Sequence, residues 1–214
     1  PEDGVPGIAN GKPALTLVLA GNAGPAMWEA FRAGRNPMID LLDDWSEDVL
    51  WPVAKLYGGK ALFPFHKPYL PFQRWAQRAE ACHASPLGML IDAKHGLWHG
   101  YRGALTFAER LVLPDTNTHF SPCNSCSEKP CLNTCPVGAF MPLKGGRESV
   151  TANYDIPNCV QHLGTPAGED CMQLGCRARR ACPEGKAARY QPEQAQFHMR
   201  AFLNAHHYKK SPNG

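Results

Sequence analysis

Cys123-Asn-Ser-Cys126-Ser-Glu-Lys-Pro-Cys131-Leu-Asn-Thr-Cys135-Pro136 places four cysteines within thirteen residues and ends on a proline. Between the thiols lie gaps of two, four and three residues. Four more cysteines follow at Cys159, Cys171, Cys176 and Cys182, and Cys182 again precedes a proline, Pro183. The eight form two sets of four, each with one Cys-Pro pair. The ninth, Cys82, stands apart and reads as a small buried hydrophobe. Residues 1–120 hold one cysteine and residues 121–183 hold eight. That change of composition, near Pro114–Pro122, predicts two domains, 1–118 and 119–214.

Deprotonated thiolates are soft ligands, suited to zinc, copper(I) and iron–sulfur clusters. Four of them meet the needs of the corner irons of one [4Fe–4S] cube, so eight suit two clusters. Structural zinc also takes sets of four cysteines, which leaves a zinc or interaction module as an alternative. Zinc gives no reason for two Cys-Pro pairs. Disulfides suit much smaller secreted chains, and the tight C-x2-C and C-x3-C spacings favour a metal site and a cytoplasmic location. The first reading is therefore an iron–sulfur electron-transfer protein with a protein redox partner. If the chain is an enzyme, it is an oxidoreductase.

The chain has 214 residues, 43% hydrophobic and 19% charged, which suits a globular protein. Twenty glycines and twenty prolines predict many turns. A formal charge of +3 with no long basic run gives nucleic-acid binding no support unless a tRNA is the substrate. Arg177-Ala-Arg179-Arg180 reads as a solvated or cluster-flanking patch. No apolar stretch approaches the ~18–20 residues of a membrane span.

The predicted fold class is α+β. Ala14–Ala20 reads as a buried strand, followed by a helix from about Pro25 carrying Trp28 and Phe31 on one face. A second helix is expected from about Pro37 to Lys55. Residues 58–71, interrupted by prolines at 64, 68 and 71, read as irregular. Helices are expected over Phe72–Cys82 and, with Pro86 at its N-terminus, through about Lys94. Tyr101–Val112 reads as a short strand or two. Short helical turns are expected at Cys131–Cys135, Pro157–Leu163 and Glu169–Ala181, a short strand at Val150–Tyr154, and a helix from Pro192 to about His206. The last carries Ala195, His198, Met199 and Phe202 on one side.

The cysteine run resembles the ligand run of bacterial ferredoxins, C-x2-C-x2-C-x3-C-P, with a second gap of four residues rather than two. In two-cluster ferredoxins the cysteine before the proline serves the other cluster. The resemblance therefore implies one cluster on Cys123, Cys126, Cys131 and Cys182, and a second on Cys135, Cys159, Cys171 and Cys176. Three segments also resemble the epoxyqueuosine reductase and reductive dehalogenase group of iron–sulfur proteins. Pro86 to Leu105 is similar to the segment ending Gly-Leu-Gly-Trp-Ile-Gly-Lys. Cys135-Pro-Val-Gly-Ala-Phe140 is similar to Cys-Pro-Thr-Gly-Ala-Ile, and Asp155-Ile-Pro-Asn-Cys159-Val is similar to the family's isolated ligand cysteine. The resemblance covers roughly residues 80–185. It implies a ferredoxin-like domain of short helices and turns with two [4Fe–4S] clusters, preceded by a small nitroreductase-like remnant. It also implies, as an alternative function, a small cobalamin-dependent or cobalamin-processing reductase. Where the family has an acidic residue this chain has Cys82, His83, Ala84 and Ser85, and Tyr101-Arg102 replaces a lysine.

His83 just precedes the Pro86–Leu105 segment and His95 and His99 lie within it; each is a candidate general acid, proton donor or metal ligand, or a packed or surface histidine. Trp51, Tyr57, Phe63, Phe65, Tyr69, Phe72 and Trp75 read either as a flat cofactor pocket or as core. Gly58-Gly59-Lys60 has no phosphate-loop context, and no dinucleotide fingerprint follows the first strand.

Overall fold

The structure, a computed structural model, describes residues 3–8, 11–36, 41–113, 120–141 and 153–207. It mixes helices with small antiparallel sheets, so the chain is α+β. Two compact units form: one from the residues up to Cys82 with His99–Phe120, the other from His83–Trp98 with the chain from Ser121 onward. The expected division at 118/119 differs in one respect: residues 83–98 pack with the cysteine-rich part. Leu87, Ile91 and Leu97 are buried in one core with Cys131, Phe140, Ala178 and Cys182, which is what holds them there.

The first unit begins with β1 (Thr16–Ala23), α1 (Ala26–Gly34), α2 (Leu42–Leu56), β2 (Lys60–Leu62) and α3 (Phe72–Ala79). Trp28 and Phe31 are both buried on α1. The start expected for α2, at Pro37, lies outside the described residues. The chain then leaves for a hairpin of the second unit, β3 (His83–Ala84) and β4 (Leu90–Ile91), and returns as β5 (His99–Phe107). β5 lies between β1 and β2 and pairs antiparallel with both, with Val18 opposite Leu105 and Leu62 opposite Ala104. Alternation along β5 sends Leu105 to a core with Ala54, Ala61 and Phe63, and Ala104 to one with Leu62, Phe72 and Trp75. The sheet therefore has α2 over one face and α3 over the other.

Two expectations are corrected here. β1 is an edge strand rather than a buried one: only Thr16 is buried along it, because among the described residues nothing pairs with its outer side, and Val18 borders an open cavity. The proline-rich stretch 58–71 also contains β2, whose three residues precede the first proline. The seven aromatics do not share a pocket. Phe63, Phe72 and Trp75 are core, and Tyr57 and Tyr69 are exposed.

The helix expected from Pro86 is absent; those residues make the β3–β4 hairpin. Turn chemistry outcompetes helix spacing. The Ser85 hydroxyl accepts from the Leu87 amide, the Gly88 amide bonds the Ser85 carbonyl at 3.0 Å, and Gly88 takes φ 75°. Four residues on, Asp92 Oδ1 accepts from the amides of Lys94 at 2.7 Å and His95 at 2.6 Å, an Asx turn.

The rest of the second unit comprises α4 (Pro122–Ser125), α5 (Pro130–Asn133), β6 (Phe140–Met141), β7 (Asn153–Tyr154), α6 (Ile156–Leu163), α7 (Glu169–Leu174), α8 (Arg177–Ala181) and α9 (Pro192–His207). Gly175, at φ 86°, separates α7 from α8. Arg179 joins three segments. Its Nε and Nη2 donate to the Leu97 carbonyl at 3.1 and 2.6 Å, and its guanidinium lies 4.3 Å from the Trp98 ring centre and 4.6 Å from that of Tyr190. Arg179→Ala is expected to cost about 2–3 kcal/mol of stability, the sum of a charged hydrogen bond and stacking on two rings. Arg179→Lys should recover less than half, since an ammonium lacks the planar fork. Urea unfolding of the two variants checks this, and a cost near zero for Arg179→Ala would refute it.

Candidate functional site

Short helices set the thiols in place. Ser121 caps α4 and accepts from the Cys123 amide, and Pro122 occupies the first helical turn. Cys126 ends that helix. The four-residue gap to Cys131 is spanned by Lys129, which sits in the left-handed region at φ 44° and starts α5. Its ammonium donates back to the carbonyls of Cys123 and, at 2.8 Å, Cys126. The longer gap is thus closed by a side chain contained within it. Lys129 was not singled out in the sequence, although its place between Cys126 and Pro130 is the available signal.

After α5 the chain turns at Cys135-Pro136, where the Gly138 amide bonds the Cys135 carbonyl and the Ala139 amide donates to Cys135 Sγ at 3.3 Å. The same segment suspends α6. The Asp155 amide bonds the Ala139 carbonyl, the Asp155 side chain caps the helix at the Asn158 amide, and Asn158 Nδ2 donates to the Val137 carbonyl. Cys159 is fixed relative to Cys135 by these bonds. Cys171 is buried on α7, and Cys176 caps α8 at its N-terminus, with Cys182 at the other end.

The eight thiols gather into two groups. Cys123, Cys126, Cys131 and Cys182 border a small cavity of about 20 Å3 with Pro122, Pro130 and Pro183. Cys135, Cys159, Cys171 and Cys176 border a larger one of about 380 Å3. Ala195, His198, Met199 and Phe202 of α9 close that cavity, with Trp98 and Tyr190. Among the described residues, no three or more His, Cys, Asp or Glu side chains converge on a point where a single metal ion would sit.

Burial pushes the Cys131 thiol up to about 11, and Cys182, Cys123 and Cys126 add to the rise. Burial also lifts Cys176 to about 11, against the amides of Arg179 and Ala178, with Cys171 and Cys159 acting in the same direction as burial. Cys123, Cys159 and Cys182 are raised as well, each mainly by burial. Four crowded thiolates repel one another, and a bound cation reverses that balance. The donor set therefore fits a positively charged, thiophilic group in each cavity.

Other candidates are placed elsewhere. Cys82 is 3% exposed, with Tyr101 Oη 3.9 Å from its sulfur, in keeping with a buried small side chain. His95 Nδ1 lies 3.2 Å from Asp92 Oδ2 within its own turn, and His99 meets Tyr101 edge-on. His83, in β3, pairs with Ile91 across the hairpin. None of the three borders the thiol cavities; His162, which the sequence did not single out, borders the larger one, as does His198, expected only on one side of the last helix. In the arginine patch, Arg177 and Arg180 both bind Asp170. The Arg177 guanidinium, with Arg180 behind it, holds that carboxyl below its ordinary range.

No protein-family model matches the chain, and no curated protein matches it. Among solved structures, a selenomethionine-labelled epoxyqueuosine reductase is similar at a TM-score of 0.44 and 20% identity, over 70% of this chain and 40% of that one. The chain thus spans less than half the length of that reductase. No helix among the described residues is long and apolar enough to cross a membrane.

Proposed function

We propose that the chain is an iron–sulfur electron-transfer protein with two [4Fe–4S] clusters. In this reading Cys123, Cys126, Cys131 and Cys182 hold one, and Cys135, Cys159, Cys171 and Cys176 hold the other. The observation that carries it is the gathering of eight thiols around two cavities, four to each, with the two Cys-Pro pairs exchanged between them. Around the larger cavity, of about 380 Å3, the thiols leave room for a group wider than one ion. Bound there, each cluster would store and release single electrons. The protein's part is to hold the thiolates ionised, exclude water with Leu87, Phe140 and the α9 side chains, and supply amide and hydroxyl donors to the sulfurs. Both sets lie within one unit, and one core contains or packs against Cys123, Cys131 and Cys182 of the first set and Cys135 and Cys176 of the second.

Anaerobic purification followed by iron and sulfide analysis tests this. About eight of each per chain are expected, with a broad visible absorption bleached by dithionite. A colourless protein carrying two zinc ions would overturn the proposal.

A further inference from the structure

Tyr154 was no more than the end of an expected strand, yet its side chain bonds directly to a sulfur of the second thiol set. Its hydroxyl donates to Cys159 Sγ at 3.2 Å. Three contacts aim it. Tyr154 pairs with Phe140 across β6–β7, its ring stacks on that of Phe140 with centroids 4.5 Å apart and planes 15° apart, and Phe202 of α9 lies nearly parallel at 6.1 Å. All of these residues border the larger cavity. The phenol carries its own proton, and at 3.2 Å its hydroxyl is placed to donate it to the Cys159 sulfur.

We propose that Tyr154 raises the reduction potential of the cluster held by Cys135, Cys159, Cys171 and Cys176 through its hydrogen bond to the Cys159 sulfur. This rests on the cluster reading above. A donor to sulfur stabilises the more negative, reduced state more than the oxidised one, and such bonds are among the determinants of cluster potential. The couple involves one electron, supplied in a titration by dithionite. The phenolic proton stays on its oxygen, and no bond at Tyr154 is made or broken. The Ala139 amide serves Cys135 in the same sense, but Tyr154 is the donor that a substitution removes while its ring remains.

Tyr154→Phe keeps the stack on Phe140 and Phe202 and deletes the hydroxyl. The variant should bind as much iron as the parent. One of its two midpoint potentials should fall by roughly 59 mV, a tenfold loss in the one-electron reduction equilibrium, while the other stays in place. Introducing 3-fluorotyrosine at position 154 retains both ring and donor. Its more acidic hydroxyl should move the same potential upward, which keeps the proposal testable if Tyr154→Phe assembles poorly. Iron-replete protein with both potentials unmoved by either change overturns the role of Tyr154 and leaves the cluster reading standing. A parent protein without iron or sulfide overturns both.

Discussion

Cys126→Ala and Cys176→Ala should each halve the bound iron, from about eight to about four per chain, and the two should remove different clusters. The expectation follows from how the thiols are distributed in space. Cys126 borders one cavity with Cys182, and Cys176 borders the other with Cys135. The informative comparison crosses the sequence: Cys182→Ala should reproduce the spectrum of Cys126→Ala, and Cys135→Ala that of Cys176→Ala. In chain order Cys135 is nine residues from Cys126 and Cys182 is six from Cys176, so a local arrangement makes the opposite pairing. Iron analysis and low-temperature electron paramagnetic resonance of the four variants distinguish the two. If Cys135→Ala lost the same signal as Cys126→Ala, the exchanged assignment would be wrong.

Gly185→Ala should destabilise the second unit by roughly 4 kcal/mol and release iron from the Cys182 set first. Gly185 takes φ 66°, and a Cβ there would stand 2.0 Å from the His95 carbonyl oxygen and 2.5 Å from the Gly96 nitrogen. Gly96, at φ 57°, is in the reciprocal position, its absent Cβ 2.4 Å from the Glu184 oxygen. Backbone meets backbone, so no side chain can swing aside. Gly138→Ala is the internal control. It has φ 58° but open space around it, so only the left-handed penalty of about 1–2 kcal/mol applies. Thermal unfolding of both variants separates crowding from conformation, and equal losses would refute the close-approach account.

Much of the fold could be read in advance where one signal dominated. Trp28 and Phe31 at helical spacing, with Gly34 behind them, lead to α1 with both rings buried. Ala195, His198, Met199 and Phe202 do share one side of α9 and border one cavity. Misreading came where two signals competed. Pro86, Leu87, Leu90 and Ile91 have a helix's spacing, but Ser85, Gly88 and Asp92 are turn formers, and their short hydrogen bonds decide the hairpin. β1 was legible as a strand, while its edge position depends on which strands pair with β5, and no local pattern carries that. At the site the cysteines declare themselves by spacing. Lys129, Arg179 and Tyr154 do not, because each matters through contacts set by the tertiary fold: two carbonyls, two rings and a carbonyl, one sulfur.

The interrupted course of the chain, passing from one unit to the other after Cys82, Trp98 and Phe120, governs the order in which the molecule can be completed during synthesis. The first unit gains its central strand as soon as Phe107 has been made. The hairpin at residues 83–98 has no such early partner. Gly96 waits for Gly185, 185 − 96 = 89 residues later, and at about 5–20 residues per second that interval is on the order of ten seconds. Throughout it Leu87, Ile91 and Leu97 lack part of the core that buries them. The set ending at Cys176 is complete six residues before the set ending at Cys182, although the latter supplies three of its four thiols first. The earliest thiols to emerge are thus among the last to be enclosed.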